Sequence, residues 1–137
     1  GMTSDGYHLT GPHADGLGLR LAVERALARG GITAADVDYV NPHATSTTQG
    51  DIAEIAALRQ VFGERLAKVA MSATKTMLGH LLGGAGGVEA AINVDELDDG
   101  LELDLVREAR DANVQHALKI SAGFGGHNAA LLFSRAT

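Results

Sequence analysis

Strand-like and helix-like runs alternate along this chain almost to its end, and that order leaves few ways to bury its apolar residues. Residues 1–16, with Gly, Pro, Thr, Ser, Asp and two histidines, read as loop. Leu17, Leu21, Ala22, Leu27 and Ala28 then recur near helical spacing, and Gly30-Gly31 stops the run. Thr33 suits the cap of a short turn ending at Asp36. Residues 37–41 alternate as a strand does, and Pro42 prevents their simple continuation. A second helix is expected over residues 50–62, with Ile52, Ile55, Ala56 and Leu58 turned inward and Gly63 as its C-cap. Residues 69–72 read as a short buried strand, and the apolar, Gly- and Ala-rich residues 81–92 as a helix buried on several sides. Residues 93–115 are acidic and loop-like, with Leu101, Leu103 and Leu105 alternating as a candidate edge strand. Two last strands, 116–121 and 129–133, meet across residues 123–128, a length that suits an antiparallel hairpin. Alternation followed by a hairpin points to an α/β layered sheet.

Composition narrows what such a sheet can do. With 137 residues, 45% of them apolar, the chain can build one ordinary domain around a real core. Eighteen glycines and 4% aromatic residues make that core one of Ala, Val, Leu and Ile, with tight turns between elements. A formal charge of −6 offers no basic stripe to displace counterions, which argues against nonspecific nucleic-acid binding. The lack of cysteine excludes disulfides, thiolate metal sites and redox motifs within these residues. No apolar run has the length of a membrane span and no signal peptide opens the chain, so a soluble, cytoplasmic protein is expected. The opening Gly1-Met2-Thr3-Ser4-Asp5 fits either the scar of a tag or the interior of a longer protein.

Two blocks carry chemistry. In Asn41-Pro42-His43-Ala44-Thr45-Ser46-Thr47 a histidine follows a strand, where α/β folds place ligands; it could equally be a loop histidine satisfied by hydrogen bonds. The hydroxyls of Thr45, Ser46 and Thr47 can orient a ring or satisfy backbone groups of the next helix. Asp51 stands near that helix start, where the dipole favours an acid whatever its function. In the second block Lys75 precedes His80 by five residues, and the chain has three lysines in all. A lysine beside a histidine disfavours the imidazolium and leaves a neutral ring able to donate one N–H. Glu89 can neutralise Lys75 if the fold joins them; a surface lysine and a capping histidine remain the plainer alternative. Gly83, Gly84, Gly86 and Gly87 match neither the P-loop nor the dinucleotide spacing. Phe124, set between glycines in Gly123-Phe124-Gly125-Gly126-His127-Asn128, suits a mobile aromatic lid, a plain hairpin turn, or backbone N–H groups aimed at an oxyanion. His8, His13, His116 and His127 show no ligand spacing and are read as structural.

Taken together, these motifs resemble the C-terminal half of a β-ketoacyl-acyl carrier protein synthase, nearest the elongating KAS I/KAS II branch of the thiolase-like superfamily. The likeness runs from the opening residues through Tyr39-Val40-Asn41-Pro42-His43 to the Gly123–Asn128 block. It implies a thiolase-like α/β layered fold, one half of an αβαβα subunit that forms a homodimer. It matches His43 and His80 to the two active-site histidines, Lys75 to the site lysine and Glu89 to the acid paired with it, with Asp51 in support. Thr45 and Thr47 match residues that contact the carrier's pantetheine arm. Phe124 matches the gatekeeping phenylalanine, its N–H an oxyanion donor. The implied reaction is a decarboxylating Claisen condensation between an acyl-enzyme thioester and malonyl-acyl carrier protein, in fatty-acid elongation. No cofactor and no metal are implied; the partners are acyl carrier protein bearing acyl and malonyl groups, and an N-terminal half with the nucleophilic cysteine.

Two departures accompany the likeness. The cysteine is not among these residues, so this chain alone is expected to be inactive. Between Ile92 and Asn93 the family carries a further stretch with a Pro-Pro turn, whereas both prolines here precede residue 43. Three rival readings stand beside it: the ketosynthase of a polyketide assembly line, a noncatalytic chain-length-determining partner subunit, and a metal- or ligand-binding module using His43 and His80. Retention of both histidines and Lys75 speaks against the second, and the lack of a third ligand at short spacing against the last.

Overall fold

Small and branched apolar residues at spacings of three and four decide how the long helices sit. In the computed structural model, which describes residues 1–89, 103–106, 108 and 110–136, α1 (Leu17–Gly30) buries Gly18, Leu19, Ala22, Val23, Ala26 and Leu27. Leu17 and Ala28, expected inside, are exposed, because the buried stripe is centred on Val23. At its end the Gly31 and Ile32 N–H groups close onto the carbonyls of Ala28 and Leu27, with Gly31 in the left-handed region that only glycine adopts freely. Thr33 and Asp36 then form the reciprocal capping pair of the short turn Ala34–Asp36.

The second helix, α2 (Thr48–Phe62), departs further from the expected inner face. It buries Ala53, Glu54, Ala57, Leu58 and Phe62, while Ile52 is 63% exposed and Ile55 and Ala56 are half-buried. Close approach outweighs hydrophobicity here. Gly16 lies so near α2 that a Cβ on it would stand 2.7 Å from the Ala57 methyl, so small residues must line that contact. Gly63, at φ 56°, caps the helix as expected.

Six strands form one mixed sheet in the order β1-β6-β5-β2-β3-β4. They are β1 (Met2–Ser4), β2 (Tyr39–Asn41), β3 (Ala70–Met71), β4 (Asp104–Leu105), β5 (His116–Gly123) and β6 (His127–Ser134). Strands β5, β2, β3 and β4 run parallel, and β6 and β1 are antiparallel to their neighbours. The β5–β6 hairpin and the edge strand at Leu105 agree with the sequence. Strand β1 corrects the expected loop: three residues with mostly exposed side chains carry no alternation to read, and backbone pairing with β6 alone makes them a strand.

One face of the sheet packs on α1 and α2. Val40, Met71, Leu118, Ile120 and Ala130 join Val23, Leu27, Leu58 and Phe62 in that core. By strand alternation Tyr39, Asn41, Ala117, Lys119, Leu131 and Phe133 face the other way. There Leu131 is 57% and Phe133 50% exposed. The expected buried helix over residues 81–92 is instead a 3-10 turn, Leu82–Gly84, running into α4 (Ala85–Glu89). Leu81, Leu82 and Val88 are exposed, because nothing among the described residues covers that side. Residues 90–92, Leu101 and the junction after Ile92 lie outside the described residues.

Candidate active site

Three neighbouring parallel strands bring the sequence motifs together. β2 leads into the His43 loop, β3 into α3 (Lys75–Leu78) and His80, and β5 into the turn Phe124–Gly126. The register sets Asn41 beside Lys119 and Val40 beside Met71, so all three chain segments leave the sheet at one edge, the carboxyl end of its parallel strands. Open α/β sheets bind ligands at that edge.

The His43 loop is held under strain. Ala44 and Ser46 adopt left-handed φ values of 38° and 61°, each costing about 1–3 kcal/mol for a residue with a side chain. A carboxylate from the inner face of α2 fixes this shape: Glu54 accepts the N–H of His43 at 2.6 Å and that of Ala44 at 2.8 Å. Burial pushes the Glu54 carboxyl above its ordinary range, against the pull of those two bonds. The Thr45 and Thr47 hydroxyls stand 3.0 Å apart. Neither caps α2, since Thr47 is its N-cap residue without a side-chain bond. Asp51 sits in the first turn of α2, its N–H on the Thr47 carbonyl at 2.9 Å.

The two histidines meet. Their ring centroids are 5.6 Å apart and the planes stand at 83°, edge towards face. His43 is half-buried, and its Nδ1 is buried with no hydrogen-bond partner among the described residues. Burial lowers its pKa to about 4, helped by the positive charges of Lys75 and Lys119 and by His80, with Glu89 opposing. The ring is therefore neutral near pH 7. His80 is exposed and follows Gly79, at φ 73°, directly after α3.

Behind the rings lies a buried charge cluster. Lys75 pairs with Glu89 Oε1, and Lys119 Nζ stands 2.6 Å from Glu89 Oε2. Lys75, Glu89 and Lys119 are 7%, 5% and 3% exposed. Burial pushes the Glu89 carboxyl up, but its contacts with Lys119 and Lys75 outweigh that and leave it below the usual carboxylate range. Burial likewise lowers Lys119, and Glu89 does not fully restore it. Phe124 stands 73% exposed at the rim. Its turn is tied down by the Gly125 N–H on the Leu9 carbonyl at 2.8 Å, and a Cβ on Gly126 would fall 2.2 Å from Asp5 Oδ1.

The sequence model of the "Beta-ketoacyl synthase, C-terminal domain" family matches residues 1–105. The chain belongs to that family. It is 44% identical to the 3-oxoacyl-[acyl-carrier-protein] synthase 2 of Vibrio harveyi, across 98% of this chain and 36% of the relative. It is 41% identical to the chloroplastic 3-oxoacyl-[acyl-carrier-protein] synthase II of Arabidopsis thaliana, across 97% of this chain and 27% of the relative. A β-ketoacyl synthase from Burkholderia phymatum STM815 superposes with a TM-score of 0.79 at 34% identity, over 100% of this chain and 36% of that one. A type II PKS ketosynthase, in complex with its acyl-carrier protein and bound to the hexaketide, superposes at 0.90 with 26% identity, over 99% and 37%. The chain thus spans about a third of the length of these proteins and corresponds to the C-terminal half of a KAS II-type synthase, with the α/β thiolase-like fold the motifs suggested. Alignment with the Vibrio protein extends over 151 positions against 137 residues, so that relative carries residues which this chain lacks.

Two residues that hold this cluster, Glu54 and Lys119, were missed in the sequence. Glu54 had a signal: it lies between Ala53 and Ala57 on the face that α2 buries. Lys119 gave no signal, because strand alternation does not tell a solvent face from one where Glu89 of α4 reaches the strand. Three of the other histidines hold local structure: His8 Nδ1 accepts the Thr10 and Gly11 N–H groups, the His13 ring packs at a tilt against Tyr7, and His116 Nδ1 bonds the Ser134 hydroxyl. Among the described residues no group of three or more His, Asp or Glu side chains could hold a metal ion, and no helix is long and apolar enough to cross a membrane.

Proposed function

We propose that this chain is the histidine- and lysine-bearing half of a β-ketoacyl-acyl carrier protein synthase that elongates fatty acids. The observation that carries the reading is the meeting of His43 and His80, edge towards face, beside a buried Lys75–Glu89 pair. In the proposed reaction the C–C bond to the malonyl carboxylate breaks, carbon dioxide leaves, and the electron pair moves onto the thioester oxygen. Two imidazole N–H groups aimed at that oxygen stabilise the enolate as it forms. The enolate carbon then attacks the acyl thioester held on a cysteine, and the cysteine sulfur leaves as thiolate. A His43 ring that is uncharged at neutral pH fits the donor role. Lys75 and Glu89 supply the electrostatic support, Asp51 in the first turn of α2 is assigned a supporting role, Thr45 and Thr47 face the pantetheine arm, and Phe124 serves as lid and backbone oxyanion donor.

The cysteine must come from an N-terminal half. Exposed Leu131 and Phe133 on the open sheet face, with Met77, Leu81 and Leu82 at the site's rim, supply an apolar surface for it. The partners proposed are acyl carrier protein bearing acyl and malonyl groups and a second subunit in a homodimer. The cytoplasm suits a cysteine nucleophile that must stay reduced. Joining this chain to a cysteine-bearing N-terminal half should give condensation, and His80→Ala in that enzyme should abolish malonyl decarboxylation. Undiminished carbon dioxide release from the variant would remove the proposed role. The likeness to a polyketide ketosynthase at a TM-score of 0.90 supports a second reading, that of a polyketide enzyme. A several-fold preference for a polyketide carrier over a fatty-acid carrier would favour it.

A further inference from the structure

One carboxylate in this site serves two lysines. Lys75 from α3 holds Glu89 Oε1, and Lys119 from the middle of β5 holds Oε2 while also donating to the Ile120 carbonyl. Lys75 and Glu89 alone would make a neutral pair, enough to anchor Lys75. A second buried ammonium adds a desolvation cost without improving that anchor. It leaves the cluster with one positive charge in excess, on the sheet face where Asn41, two residues before His43, is the register partner of Lys119.

We propose that Lys119 is a positioning residue: by sharing Glu89 with Lys75 it keeps an uncompensated positive charge behind His43 and so holds that ring in its uncharged, donating form. The charged and titratable groups around His43 are Lys75 from α3, His80 from the loop after it, Lys119 from β5, Glu89 from α4, and Glu54 from α2. Glu54 binds the backbone N–H groups of the loop, favours the ammonium of Lys119, and is itself pushed by burial towards its uncharged form. The two lysines and Glu89 remain to act on the ring, and the lysines prevail. Burial and both lysines hold the His43 pKa down, while Glu89 raises it. Lys119 differs from Lys75 in one respect that a test can use: α3 and His80 do not depend on it for their place in the chain.

The proposal rests on the ketosynthase reading for its kinetic arm alone. In the enzyme that carries both halves, the His43 ring is titrated by nitrogen-15 NMR, and malonyl decarboxylation is followed against pH. Lys119→Met should raise the His43 midpoint by about one pH unit and move the acid limb of the decarboxylation profile up by the same amount. Lys119→Arg should restore both. Lys119→Gln, which keeps a donor to Glu89 without the charge, should behave as Lys119→Met. An unmoved His43 midpoint in either folded neutral variant overturns the proposal, as does failure of both to fold, which would assign the charge to folding instead. A midpoint that moves in an enzyme without decarboxylation supports Lys119 and removes the ketosynthase reading.

Discussion

His43 and His80 share one site but are held in opposite ways. His43 sits in a strained loop fixed by a buried carboxylate, with its ring half-buried among charges. His80 follows a one-turn helix and a left-handed glycine, and it is exposed. The fold commits its core, its strain and its buried ions to one histidine and leaves the other exposed. A donor that must be in place before substrate arrives is best built into the sheet.

This contrast sets an order of effects. Glu89→Ala should be the most damaging change, because it leaves two buried ammoniums without a counter-ion. A loss of about 3–5 kcal/mol is expected in denaturant unfolding, with the His43 side of the site disrupted. Acid comes next. The His43 pKa is about 4 when folded against an ordinary 6.5, so the unfolded chain binds more protons between those values. Stability should be full above about pH 6.5 and fall by about 3 kcal/mol by pH 4 through this residue, and a His43→Gln variant should lack that part of the fall. Glu54→Gln removes one of the two acceptor oxygens that hold a strained loop. It should cost about 2 kcal/mol and slow decarboxylation through a misplaced His43, read as a drop in kcat with little change in KM. His80→Ala should shift stability by no more than about 0.5 kcal/mol, yet lower the decarboxylation rate by about 100-fold or more. A large stability loss there would erase the contrast.

Much of this is legible in the sequence. The alternating runs showed the α/β sheet, and Thr33, Gly31 and Gly63 marked where helices begin and end because caps are local chemistry. The His43, Lys75, His80 and Phe124 motifs were readable because each follows a strand in a distinctive setting. Inner faces were read less well. Ile52 and Leu17 look like core residues but lie outside, since close helix packing selected Ala53, Ala57 and Val23. Strand β1 carried no pattern, because its pairing is made by backbone alone. Lys119 was hidden because its partner, Glu89, lies on α4, 30 positions away in sequence, and only the β5 register and the α4 fold bring them together.

The most direct test is a double-mutant cycle on malonyl decarboxylation in the enzyme carrying both halves, with His43→Ala and His80→Ala made singly and together. Two donors acting on one developing oxyanion should be strongly non-additive, so the double variant should lose scarcely more rate than the worse single one. Losses that simply multiply, or a single variant that keeps its full rate, would contradict the account.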